Sequence, residues 1–103
     1  MNGTALSITS EVRAEQVTVH LDGEVDATNA DHLRVVLLEH IRCGRTAVAI
    51  DISALTFIDC AGLTVLLLAL THAREHGARV QTEGTVHPRV RRIVDLTGAG
   101  AWA

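Results

Sequence analysis

Five consecutive residues, Asp59-Cys60-Ala61-Gly62-Leu63, bring a carboxylate, a thiol and the small side chains of a loop-to-helix joint into one place. An apolar run, Ala47 to Ile52, leads through a short loop into them, and the most hydrophobic segment of the chain follows. A short run rich in apolar and β-branched residues reads as a buried strand, and the longer segment after Gly62 reads as a helix. The free N–H groups at the start of that helix favour an anion. They also favour the thiolate form of a cysteine placed there, while the carboxylate of Asp59 opposes it. Cys60 is therefore open to two readings: a small packing residue, or a thiol available to redox chemistry.

Catalytic patterns do not accompany it. A nucleophilic cysteine needs a base or a phosphate-binding arginine beside it, and the phosphatase spacing of Cys, five residues and Arg puts Leu66 where the arginine belongs. Cys-x-x-Cys, His-Glu-x-x-His, the Walker glycine loop and Gly-x-Gly-x-x-Gly do not occur. His72 and His76 stand four apart on the second helix, a spacing that suits a metal, but no third ligand accompanies them. Their place near a helix C-terminus is the one the dipole favours for histidine. His20, His32, His40 and His87 form no pattern. The expectation is a binding protein with no enzymatic activity, no metal and no cofactor.

At 103 residues the chain is one domain, 1–103, large enough for a single core. Hydrophobic residues make up 48% and charged residues 20%, the balance of an ordinary globular protein. Phe57 and Trp102 are the only aromatic residues, so Val, Leu, Ile and Ala must fill the core. The net charge of −3 gives no reason to expect nucleic acid, and Arg89, Arg91 and Arg92 read as a solvated helix face. Met1 to Ser10 lacks the basic start and apolar run of a signal sequence. Leu63 to Leu70 is too short to span a bilayer. A cytoplasmic protein with no membrane contact is expected, its two cysteines present as thiols. Cys43 and Cys60 flank the central strand, and about six residues at roughly 3.3 Å each separate its ends by nearly 20 Å. A disulfide needs Cα atoms within about 7 Å, so none forms within one molecule.

The elements that must position the joint alternate between strand and helix. Leu6 to Arg13 reads as a first strand, Ala14-Glu15 as a turn, and Gln16 to Leu21 as a second strand that Asp22-Gly23-Glu24 breaks. Thr28 or Asn29 caps a helix running to about Arg42, with Leu33, Val36, Leu37, His40 and Ile41 on one stripe and Gly44 closing it. Ala47 to Ile52 has the unbroken apolar character of a central strand. A second helix runs from about Ala61 to Glu75, closed by His76-Gly77. Ala78 to Thr82 is a fourth strand, and Pro88 opens a third helix with Val90, Ile93 and Val94 inward. Such alternation implies an α/β fold with right-handed crossovers.

Four segments in this order resemble the STAS domain of bacterial anti-sigma factor antagonists. They are Leu21-Asp-Gly-Glu-Val-Asp26, Asp51-Ile-Ser53, Asp59-Cys60-Ala61-Gly62-Leu63 and Val90-Arg-Arg-Ile-Val-Asp-Leu-Thr-Gly98. The resemblance implies a single STAS-like domain with a mixed, mostly parallel four- to five-stranded sheet packed with helices. Many family members continue past the position of Gly98 with another strand and a short helix, where this sequence reads Ala-Gly-Ala-Trp-Ala.

It also implies partner switching. Such an antagonist sequesters an anti-sigma factor, usually a serine kinase of the GHKL ATPase type, and so frees a sigma factor for transcription. Phosphorylation of a loop serine ends the contact. Carried over by position, Asp26, Asp59, Cys60, Ala61, Gly62 and Leu63 form the partner-binding surface, and Cys60 stands where the family has its phosphoacceptor. A thiol does not replace that hydroxyl, and Ser53, Thr56 and Thr64 lie a few residues away. Three readings of Cys60 stand side by side: an inert helix-start residue in an unswitched antagonist, a redox switch, or a residue of a sensor or scaffold domain. An STAS domain that binds an anionic ligand at the same helix start is the alternative function.

Overall fold

The computed structural model describes residues 5–97. β1 (Leu6–Arg13) and β2 (Gln16–Val25) form a hairpin, followed by α1 (Ala30–Arg42), β3 (Ala47–Ile58), α2 (Cys60–Glu75), β4 (Arg79–Glu83) and α3 (Pro88–Thr97). Among the described residues the sheet has four strands in the order β1-β2-β3-β4. β1 is antiparallel to β2, while β2, β3 and β4 run parallel. The element order matches the sequence reading, with the turn at Ala14-Glu15 made by Ala14 at φ 55°. Gly98 and the residues after it, and the side chain of Val94, lie outside the described residues.

Two boundaries differ from expectation. β2 does not stop at Leu21 but continues to Val25, through register shifts between His20 and Asp22 and between Gly23 and Glu24. Asp22-Gly23 reads as a turn because glycine tolerates positive φ, and Gly23 does adopt φ 119°. Here that freedom serves an irregular strand, and a side chain at Gly23 would strike the Ala5 carbonyl oxygen. β3 correspondingly runs to Ile58 rather than ending at Ile52, so the expected loop is strand paired with the end of β2. Smaller shifts place the start of α2 at Cys60 and β4 at Arg79–Glu83.

Alternation along the strands divides the sheet into two faces. Val17, Val19, Leu21, Val48, Ile50 and Val80 are buried under α1 and α2. α1 contributes Ala30, Leu33, Leu37 and Ile41, and α2 contributes Leu63, Leu66, Ala69 and Ala73. α3 packs on β3 through Val90, and Arg89, exposed as expected, lays its guanidinium 4.9 Å from the centre of the Phe57 ring. No polar or charged residue among those described is buried. The core is aliphatic, so polar chemistry in the described residues belongs to the surface.

Candidate partner-binding site

The site is built where β2 and β3 end together. Val25 and Ile58 are register partners in the parallel pair, and Asp26 and Asp59 follow them by one residue each. The two aspartates therefore stand side by side at the carboxyl ends of adjacent parallel strands, each at the start of a helix. The Asp59 amide donates to the Val25 carbonyl (3.2 Å), which ties the two strand exits together. Both are expected on one surface from sequence, and the register makes them neighbours.

Each aspartate organises a helix start. Asp59 is the N-cap of α2: its Oδ1 accepts from the Gly62 amide at 3.0 Å, and its carbonyl accepts from Leu63 at 2.9 Å. Such a cap satisfies one of the orphan N–H groups of the first turn. At the other exit the Asp26 carbonyl accepts from Ala30 (2.9 Å), and its carboxylate accepts from the amide and hydroxyl of Thr28. Asn29 occupies the N-cap position of α1 but its side chain does not cap. Its Oδ1 accepts from the Asp26 amide and its Nδ2 donates to the Glu24 carbonyl, fastening the turn to β2.

Gly62 is fixed by proximity. A Cβ there would fall 2.5 Å from Val25 Cγ1 and 2.7 Å from Ile58 Cγ1, so the first turn of α2 touches both strand ends. Gly62 and Leu63 are buried, Ala61 and Asp59 half-buried, and Cys60 exposed with a free thiol. Of the positions carried over from the family, Cys60, Asp59, Ala61 and Asp26 reach the surface. Gly62 and Leu63 shape the site from beneath.

The outer face of α2 extends this surface. Thr64, Leu67, Leu68 and Thr71 follow Cys60 on the exposed side, with Leu67 37% and Leu68 52% accessible, and no charged residue occurs between Asp59 and Arg74. Thr64 and Thr71 return their hydroxyls to the carbonyls of Cys60 and Leu67, which leaves the strip with little unsatisfied polarity. From sequence the helix is expected, and of these residues only Thr64 is singled out, as a hydroxyl near Cys60. Their signal was the inward set Gly62, Leu66, Ala69 and Ala73, which at 100° per residue leaves them on the opposite face.

A second cluster lies on the sheet. His20, assigned no pattern from sequence, is held between two carboxylates: Nδ1 is 2.7 Å from Asp51 Oδ2, and Nε2 is 2.5 Å from Glu11 Oε1. Asp51 Oδ1 accepts from the Ser53 hydroxyl (2.7 Å) and amide (3.0 Å). The hydrogen bond to Asp51, then that to Glu11, raises the His20 pKa, and the hydrogen bonds from Ser53 lower that of Asp51. Hairpin and parallel registers create this cluster, and spacing along the chain does not show it. The order is not that of an activated nucleophile, because Ser53 donates to the carboxylate and the imidazole is bound to the far oxygen.

The remaining chemical candidates stay apart. Cys43 and Cys60 are both exposed, with the full length of β3 between them, on the order of 30 Å. His76 Nδ1 bonds the His72 carbonyl at 2.9 Å. Among the described residues no three His, Cys, Asp or Glu side chains are placed to hold a metal, and no helix is long and apolar enough to cross a membrane.

A profile of the STAS domain matches residues 7–102. The chain belongs to the STAS domain family. A Bordetella bronchiseptica protein bearing the name anti-sigma factor antagonist BtrV is 33% identical over 79 residues, which cover 76% of this STAS chain and 66% of that protein. The fold is that of an anti-sigma factor antagonist from Mycobacterium paratuberculosis, with a TM-score of 0.79 at 24% identity over 94% of this chain and 81% of that one. It is equally that of SpoIIAA in its unphosphorylated form, with a TM-score of 0.78 at 24% identity over 95% of this chain and 84% of that one. The phosphorylated Bacillus SpoIIAA gives 0.71 at 21% identity, covering 95% and 87%.

Proposed function

We propose that this STAS domain is an anti-sigma factor antagonist: it binds an anti-sigma factor at the exits of β2 and β3 and along the outer face of α2, and so frees a sigma factor. The observation that carries the reading is the adjacency of Asp26 and Asp59 next to an exposed Cys60 and an uncharged helix face. Apolar side chains at the centre with carboxylates at one rim suit a protein partner, since the rim charges steer encounter and the apolar strip supplies burial. The names of its relatives support the same role. A sigma-directed partner places the protein in the cytoplasm.

The partner implied by the family is a serine kinase of the GHKL type. Phosphate on the residue after Asp59 would add about −1.5 to −2 charge beside two carboxylates, enough repulsion to end a desolvated contact. Cys60 offers no hydroxyl for that step, so the antagonist is not switched by phosphorylation at this position. The test is calorimetric titration of the anti-sigma factor with the wild-type domain and with Leu68→Asp and Cys60→Asp. Both positions are exposed, so the fold is retained and affinity should fall at least about tenfold. Unchanged affinity in both variants, with folding verified, would place the contact elsewhere.

A further inference from the structure

The face of the sheet turned away from α1 and α2 carries charge in rows. The strand registers align Arg13, Gln16, Ala47 and Arg79 in one row, Glu11, Thr18, Ala49 and Gln81 in the next, and Thr9, His20, Asp51 and Glu83 in the third. One end of the face is basic and the other acidic, about 13 Å apart at four residues of strand rise. His20, Asp51 and Glu11 satisfy one another, but Arg13, Arg79 and Glu83 make no side-chain hydrogen bond or ion pair among the described residues. Ala47 and Ala49 keep the floor low, leaving two open clefts of about 200 and 340 Å³ that share Gln16, Thr18 and Glu83.

We infer that this face docks a second copy of the chain, sheet against sheet, about a two-fold axis along the row from Glu11 to Gln81. Such an axis reverses the rows. It sets Arg79 of each copy opposite Glu83 of the other, Gln16 opposite His20, Ala47 opposite Asp51, and Gln81 against Gln81. It also brings Glu11 against Glu11, each bonded to its own His20 and flanked by Arg13 of the other copy. Arg13 of one copy meets Thr9 of the other. A two-fold axis along the strands would instead stack arginine on arginine, so the charge pattern selects one arrangement. The clefts receive the long side chains of the facing copy. Strands about 4.8 Å apart and five residues long give a footprint of roughly 300 Å² per copy. This is below the roughly 800 Å² per partner of stable complexes, so the dimer is weak and depends on its charges. The strip on α2 lies on the other side of the sheet and stays free in both copies.

Sedimentation equilibrium of the full chain tests this. At about 20 mM salt a concentration-dependent dimer is expected, dissociating at about 0.5 M, where the Debye length is only a few ångströms. Arg79→Glu and Glu83→Arg each turn two attractive contacts repulsive and should weaken the dimer at least about tenfold. Arg79→Glu combined with Glu83→Arg exchanges the charges and should restore it, which a merely structural effect would not do. A monomer at every concentration in low salt, or a dimer indifferent to all three variants, overturns the inference and leaves the face to a ligand or another protein.

Discussion

Asp59 performs two tasks with one carboxylate: it caps α2 through the Gly62 amide and presents a charge beside Asp26. Substitution by lysine would remove both at once. Asparagine separates them, because its amide oxygen still caps. Asp59→Asn should leave the urea midpoint close to wild type and weaken partner binding, whereas Asp59→Ala should also cost about 1 kcal/mol of stability. Equal affinity for Asp59→Asn and wild type would make the residue a cap alone. At the next residue, the proposed kinase partner with ATP should leave the wild-type chain unlabelled, and Cys60→Ser should accept phosphate. Stoichiometric phosphate mapped by mass spectrometry to Ser53, Thr56 or Thr64 of the wild type would contradict this. Mild peroxide distinguishes the readings of the thiol. Partner affinity that falls on oxidation in the wild type but not in Cys60→Ala marks a redox switch, and no change marks an inert residue.

At the scale of elements, the Glu11–His20–Asp51 bridge joins three strands across the sheet, and its protonation states give it a pH window. The folded pKa of His20 lies above the ordinary value, so its contribution is complete below about pH 6.5 and is lost as pH rises through the folded value. Asp51 is shifted down, so its contribution is complete above about pH 4 and is lost as pH falls through its own folded value. Both act together between those limits. The loss of stability in His20→Ala should be greatest near pH 5.5, which urea denaturation at pH 5.5 and 8.5 can compare. A difference independent of pH would mean that the imidazole acts by packing rather than by charge.

The elements were largely legible in the sequence because their signals are local: alternation in β1 and β2, the stripe of α1, and Pro88 at the first turn of α3. What failed to show depends on pairing between distant residues. The extension of β3 to Ile58 needs the end of β2 as its partner, and Asp22-Gly23 looks like a turn unless that partner is present. The His20 cluster joins residues 9 and 31 apart in the chain and has no linear signature. The candidate partner-binding positions come from the family pattern, and helix phase decides which of them face outward. Leu63 points into the core while Leu67 and Leu68 point out.

The whole molecule rests on an aliphatic core under two helices, with no buried polar residue among those described to fix its register. Specificity of packing must then come from shape. Leu37, fully buried on α1, tests this: Leu37→Ala should lower stability by about 2–5 kcal/mol in urea, in a transition that stays two-state. Loss of a single cooperative transition would show instead that the helices share less than one core.

The contact of Gly62 with Val25 and Ile58 has a thermodynamic consequence. With no room for a side chain, the first turn of α2 is wedged onto two strand ends before any partner arrives. Little backbone entropy is then left for binding to remove, and association should proceed as the docking of a finished surface. The heat-capacity change on binding the anti-sigma factor, taken from calorimetry at several temperatures, should match the apolar area buried at the contact alone. Gly62→Ala would prise that turn away at a cost of about 1–3 kcal/mol in stability. In that variant the heat-capacity change should become more negative, as the partner is made to finish folding the site.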